Sequence, residues 1–295
     1  MDFAFLAPYS DELKMRKAGV PLLIGTSTKR APSQFDVVAI SNSIVQELLN
    51  LPALLEYSGI PLSREARKKR GSPFILLGGS NAYSASILHG PVSFGSSEEG
   101  LVDGVIIGDG EEAFQLFLEC FLRARFARRE ELMAILRDRV PGFYDPSCYV
   151  QKFDKTGRLF GIEAINGASI PVKAHRVSPQ NAKKTFSLGP IPFSEEAAGA
   201  SHLLISEGCP YFCSFCKESW EQKPYREGNV SALISDSLAL KANLGISELN
   251  LMTFNVNTFS KLSSVLNSLE PLFDRVTVKS QRFDTIAQFP FLLDR

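Results

Sequence analysis

The chain has 295 residues, with 32 basic and 32 acidic side chains, 44% hydrophobic and 22% charged. That balance suits roughly two globular domains, excludes a disordered chain, and supplies no net field that would draw the protein to nucleic acid or an anionic membrane. The start "MDFAFLAPYSDELK" has no basic segment ahead of a long apolar run, and no apolar stretch approaches the roughly 20 residues of a membrane span. Clustered thiols without a secretion signal point to a reducing cytoplasm.

Residues 1–127 alternate compact apolar runs with helical stretches. "VPLLIGT" (20–26), "FDVVAIS" (35–41), "PFILLGG" (73–79) and "DGVIIGDG" (103–110) are bounded by Gly, Pro, Ser or Asp. Continuous apolar runs of this length read as strands buried on both faces of a parallel sheet. Between them "SIVQELLNLPALLEYSG" (43–59) is amphipathic, with Pro52 expected to kink or break it, and "GEEAFQLFLECFLRARFA" (110–127) keeps an apolar stripe at helical spacing. The expected fold is α/β, a doubly wound, Rossmann-like sheet. Gly78, Gly79, Gly108 and Gly110 follow two of the strands, and they either admit a ligand close to the backbone or make tight strand-to-helix turns. The basic run "SREARKKRGS" (63–72) reads as a solvated face or as a patch that tracks phosphates.

Residues 128–200 are less regular and read as a connector with a hairpin, whose turn is "DKTG". From 201 to 295 the strand–helix rhythm returns. "HLLISEG", "SELNLMTFN" and "DRVTVKSQRFD" are strands, "NVSALISDSLALKANLGI" and "TFSKLSSVLNSLEPLF" are helices, and "TIAQFPFLLDR" begins another. Parallel β/α units in series suggest a partial, TIM-like barrel or an open sheet.

The densest chemistry lies in "EGCPYFCSFCKES" (207–219), where Cys209, Cys213 and Cys216 follow a strand directly. A disulfide framework wants an even count in a small secreted domain, and a structural zinc wants four ligands. His202 is the nearby histidine, but it falls on the strand and leaves a zinc knuckle without its fourth ligand. Three thiolates on one tight loop instead suit a [4Fe–4S] cluster with one iron open to a substrate or cofactor, and Phe212 and Phe215 would shield it from water. Cys120, in a helical pattern, and Cys148, in a loop, read as inert buried thiols. Glu218 reads as a surface helix residue.

"CPYFCSFC" carries the C-x3-C-x-aromatic-C signature and resembles the radical S-adenosylmethionine (radical SAM) superfamily, with Phe215 at the aromatic position. The upstream "PFILLGGSNAYSASIL" and "DGVIIGDGEEAF" are similar to the cobalamin-binding-like (B12-binding-like) domain fused to radical SAM domains in an uncharacterised group, and "VPGFYDPSCY" and "SQRFD" match that group as well. The resemblance implies a cluster held by the three cysteines, S-adenosylmethionine chelated by the open iron, and an electron donor such as a flavodoxin or ferredoxin. It implies reductive cleavage to a 5′-deoxyadenosyl radical that abstracts hydrogen from a small-molecule or macromolecular substrate. Phe215 would contact adenine, and Thr253, Asn255, Ser280 and Arg282 at the strand ends would bind the rest of the cofactor. Cobalamin-dependent methyl transfer is also implied, yet the D-x-H-x-x-G motif is absent and His89 lacks the preceding Asp. Cobalamin would then bind without a His ligand, or the domain is a relic. An RNA-modifying enzyme and a non-catalytic iron–sulfur or zinc module stand as alternatives. Because residues 201–295 have room for only three β/α units, the sequence looks like the first half of a radical SAM domain, and such a fragment is expected to be inactive and to associate through its sheet edge.

Overall fold

The computed structural model describes residues 1–68, 71–83, 100–177 and 199–288. They fall into two compact units, Met1–Arg176 and Val177–Arg295. Among the described residues no helix is long and apolar enough to cross a membrane. His89, most of the 178–200 linker and the end of "TIAQFPFLLDR" lie outside the described residues.

The first unit begins with helix α1 (Tyr9–Lys17), whose Arg16 stacks on the Tyr57 ring at 3.6 Å. Its centre is a sheet of β1 (Val37–Ser41), β2 (Phe74–Gly78), β3 (Gly104–Ile106) and β4 (Phe143–Tyr144), in that order. The first three run parallel, and β4 adds antiparallel to β3. The β2 run "FILL" is buried on both faces because alternate residues enter different cores. Ile75 and Leu77 pack with Leu48, Leu51 and Leu55 of α2 (Glu47–Tyr57), while Phe74 and Leu76 pack with Phe117 and Phe121 of α4 (Gly110–Arg123) and Leu132 and Leu136 of α5 (Arg129–Arg139). Helices therefore cover both faces, as expected. The doubly wound order is corrected, however. The described strands follow one another without a reversal, so they contain no switch point at which such sheets open a ligand crevice.

Three further differences have local causes. "VPLLIGT" forms no strand. The Asp2 carboxylate accepts hydrogen bonds from the Ser27 and Thr28 amides (3.1 and 2.8 Å), and Thr26 N–H donates to Phe3 C=O, so the segment turns onto the N-terminus instead. Pro52 does not break α2, which runs through it. Residues 128–176 are more regular than a connector. They carry α5, packed on the Phe74 side of the sheet, and β4, and then the expected hairpin of β5 (Tyr149–Phe153) and β6 (Leu159–Ala164), closed where Gly157 N–H meets Asp154 C=O.

The basic run is internal in part. In α3 (Arg64–Arg67) both arginines are buried. Arg67 donates to Asp103 (3.2 Å) and to the carbonyls of Pro61, Leu62 and Gly100 (2.8, 2.6 and 3.0 Å), while Asp103 also accepts from Ile75 N–H at 2.7 Å. These two residues tie α3 to the start of β2 and β3, and they are not a solvated face.

The second unit is built on β7 (Ala200–Leu204), β10 (Glu248–Met252) and β11 (Arg275–Val278), all parallel with β10 central. α7 (Val230–Leu244) and α8 (Leu262–Leu269) cover one face through Leu233, Leu240, Val265 and Leu269. Asn229 caps α7 by accepting from the Ser231 and Ala232 amides (2.9 and 3.3 Å), and Gly245 ends it with φ +64°. Alternation puts the row His202, Asn250 and Thr277, which are register partners, on the opposite face.

Candidate metal centre

The cysteine loop hangs between β8 (Ser206–Glu207) and α6 (Lys217–Glu221), beyond the carboxyl end of β7. β8 pairs antiparallel with β9 (Arg226–Glu227), so the chain leaves and re-enters the same short ribbon. At the loop's entry Gly208 has φ +70°, and a Cβ there would meet Gln222 C=O at 2.1 Å. Only glycine allows that approach.

Side chains from the return segment hold the loop's carbonyls. Lys223 Nζ donates to Cys209 C=O and, at 2.8 Å, to Tyr211 C=O, and it lies 3.8 Å from the Phe212 ring centroid. Trp220 Nε1–H donates to Cys213 C=O at 3.0 Å, the same oxygen that receives Cys216 N–H at 3.1 Å. The Trp220 ring also meets Phe212 edge-on at 5.0 Å. Arg282 stacks on Tyr211 at 3.9 Å.

Cys209 is buried, and Cys213 and Cys216 are half-buried. Glu218 reaches towards Cys216, with Sγ and Oε2 3.9 Å apart. The structure thus brings the three predicted cysteines onto one braced loop. It does not draw their sulfurs into a ligand set, since among the described residues no three His, Cys, Asp or Glu side chains converge closely enough to hold a metal ion. The donor chemistry itself fits an iron–sulfur cluster: three thiols on one loop, with the backbone carbonyls already engaged. Phe212 is committed to Trp220 and Lys223, whereas Phe215 stands 89% exposed and shields nothing in this arrangement.

The other expected cofactor contacts sit at the ends of β10 and β11. Thr253 shares a hydrogen bond with Ser206 at 2.6 Å, and Asn255 is buried with Oδ1 unpartnered. Ser280 adopts φ +55°, and its carbonyl accepts from Val256 N–H. Arg282 pairs with Asp284, which helps keep its guanidinium above its ordinary pKa. Asn257 joins the two strand ends, with Nδ2 to Arg282 C=O at 2.9 Å and Oδ1 to Arg282 N–H at 3.1 Å.

Two of the four expected glycines of the first unit, Gly79 and Gly108, meet the chain itself. A Cβ at Gly79 (φ +97°) would lie 2.4 Å from Asn42 C=O, and one at Gly108 (φ +106°) would lie 2.0 Å from His175 C=O. Gly108 bridges His175, and Arg176 continues the strap by pairing with Asp109 at 3.1 Å. Gly78 and Gly110 have open space around them. Cys120 lies in the core beside Phe117, and Cys148 donates to Asp145 at 3.3 Å, its thiol pushed up by burial.

Lys223, Trp220, Asn257 and Glu227, which accepts from Ser260 N–H at 2.8 Å, escape a reading of the sequence. Trp220 alone offered a signal, being the chain's single tryptophan, placed just after the cysteines.

Comparison with known proteins adds independent findings. The family model described as "Radical SAM proteins, N-terminal" matches residues 1–146. The ribosomal protein uS12 methylthiotransferase RimO of Sulfurihydrogenibium sp. (strain YO3AOP1) is 32% identical over 92 residues, which take in 31% of this chain and 19% of that protein. Two solved structures of the radical S-adenosylmethionine methyltransferase TsrM from Kitasatospora setae also match. One, with tryptophan substrate and aza-SAM bound, is 13% identical with a TM-score of 0.41, covering 90% of this chain and 43% of that chain. The other, with cobalamin and a [4Fe–4S] cluster bound, is 14% identical with a TM-score of 0.36, covering 80% and 39%. At those scores the structural likeness carries no argument. The chain spans about a fifth of the curated relative's length and about two-fifths of the solved chains.

Proposed function

Since this chain belongs to the radical SAM superfamily, we propose that its second unit binds a [4Fe–4S] cluster through Cys209, Cys213 and Cys216 and uses it with S-adenosylmethionine. The observation that carries this reading is the braced three-cysteine loop at the carboxyl end of a parallel sheet, the face on which α/β folds assemble their sites. When bound, the cluster supplies the single electron that cleaves the sulfonium of S-adenosylmethionine. The chain's own part is to place and shelter that chemistry. Asn255 offers a buried, unpartnered Oδ1 that suits an ammonium or hydroxyl donor. Phe215 presents an unoccupied ring to a flat heterocycle. Thr253 and Ser280 complete the polar strand ends. Arg282 would have to leave Asp284 before it could take a carboxylate. The electron comes from a partner of flavodoxin or ferredoxin type.

Cobalamin, if this unit takes it, has no place at one of the turns expected to receive it, while Gly78 and Gly110 on the same face stay open. The Gly108 turn is filled by the backbone of His175, and no step is derived through the cofactor. The RNA-directed alternative has two fewer exposed cations to rest on, because Arg64 and Arg67 of its basic run are buried, while Lys68 is exposed.

Anaerobic reconstitution followed by iron and sulfide analysis tests the cluster. Alanine at Cys209, Cys213 or Cys216 should abolish loading, and alanine at Cys120 or Cys148 should not. Production of 5′-deoxyadenosine under dithionite separates a radical enzyme from a non-catalytic module. Full iron content in Cys213→Ala would sink the assignment.

A further inference from the structure

We propose that Lys223 positions the cysteine loop and makes any cluster held there easier to reduce. The inference rests on the cluster reading above. Three observations carry it.

First, Lys223 spans the loop. Its ammonium donates to the carbonyls of Cys209 and Tyr211, which flank Pro210, a residue with no N–H to give. The loop's internal backbone hydrogen bond lies further on, from Cys216 to Cys213. Without the lysine, the stretch at Cys209 would lose its brace on the side of the return segment.

Second, the charge is held in place. The Phe212 ring lies 3.8 Å from Nζ, and Phe212 is itself fixed against Trp220. A cation seated on carbonyls and a ring keeps its position better than one on a free stem.

Third, the other charged groups around the loop are paired or negative: among the described residues Lys217, next to Cys216, pairs with Glu221 at 3.4 Å, and Arg226 pairs with Glu207 at 2.5 Å. Glu218, 3.9 Å from the Cys216 sulfur, contributes negative charge. Arg282, stacked on Tyr211, is offset by Asp284. Among the described residues Lys223 is the cation that touches the Cys209 side of the loop directly, through the Cys209 and Tyr211 carbonyls. A cluster taking one electron from a low-potential donor gains negative charge and loses none of its ligands. A fixed cation nearby stabilises the reduced form more than the oxidised one.

The test compares Lys223→Met, Lys223→Gln and Lys223→Arg in the whole protein, reconstituted with iron and sulfide and titrated reductively by EPR. In Lys223→Met and Lys223→Gln the reduced-to-oxidised ratio at fixed solution potential should fall about tenfold, which is 59 mV for one electron. Lys223→Arg should hold the ratio near the parent's. If Met and Gln fail to load iron while Arg loads it, the charge is required for assembly and the proposal stands. If every variant titrates as the parent does, it falls. If every variant loses iron while the parent keeps it, Lys223 serves folding alone and the proposal falls too. A parent that binds no iron defeats the cluster reading itself, an outcome independent of residue 223.

Discussion

Replacing Arg67 by Met should cost the first unit about 4 kcal/mol. The Arg67 and Asp103 side chains are 0% and 2% exposed, and breaking a buried pair from one side typically costs about 3–5 kcal/mol. Two features set the value within that range. Asp103 would keep Ile75 N–H and Arg129, the latter at 3.3 Å, which pulls the cost down. The carbonyls of Pro61 and Leu62 would each lose a donor, at about 1–3 kcal/mol where water cannot replace it, which pulls it back up, while Gly100 C=O would keep the Arg64 N–H at 3.1 Å. For a unit of this size each kcal/mol moves the midpoint by about 3 °C, so a drop of roughly 12 °C is expected. Calorimetry measures it, and labelling of the fully buried Cys148 reports opening of this unit specifically. Lys68→Met is the control. Its pair with Glu65 is exposed and should be worth less than about 0.5 kcal/mol. If Arg67→Met costs no more than Lys68→Met, the buried pair is not what ties α3 to the sheet.

The strap over the first sheet predicts a contrast between neighbouring glycines. Gly108→Ala, at positive φ and against His175 C=O, should cost roughly 2 kcal/mol or more, whereas Gly110→Ala, in open space at the start of α4, should change the midpoint little. Asn229→Ala removes the cap of α7 and should destabilise the second unit by about 1 kcal/mol in the same calorimetric scan. In the first unit, burial raises the Tyr144 phenol well above its ordinary value, so the folded state keeps a proton that the unfolded chain gives up. That contribution is fully present below the unfolded pKa, and it should drain away as pH rises past about 10. Tyr144→Phe should therefore flatten the loss of stability between roughly pH 9 and 11, and an unchanged alkaline slope would refute the account.

Much of the architecture was legible because it is written in short-range pattern. The β2 run "FILL" announced a strand with two buried faces, and "NVSALISDSLALKANLGI" announced the helix α7. "DKTG" closed the expected hairpin, and the cysteine spacing marked the loop. What the pattern hid was settled by partners far away in sequence. "VPLLIGT" has the composition of a strand, but Asp2 supplies a better partner for the turn beyond it. Arg64 and Arg67 look solvated until Asp103 and the backbone around Gly100 are placed beside them. Gly79 and Gly108 advertise close approach without saying to what, and the answer is the chain's own backbone. Lys223 resembles any surface lysine until the return of the chain to β9 sets it against the loop carbonyls.

That return has a kinetic consequence. The loop's principal braces come from its own neighbourhood, with Lys223 reaching 14 residues back to Cys209 and Trp220 reaching seven back to Cys213. Segments of about this length close in tens to hundreds of nanoseconds, well before strands as distant as β10 and β11 can find their register. The cysteine segment should therefore reach its shape early in folding, on entropy alone, while the sheet that will carry it is still assembling. A cysteine loop that arranges its own carbonyls does not have to wait for the rest of its fold.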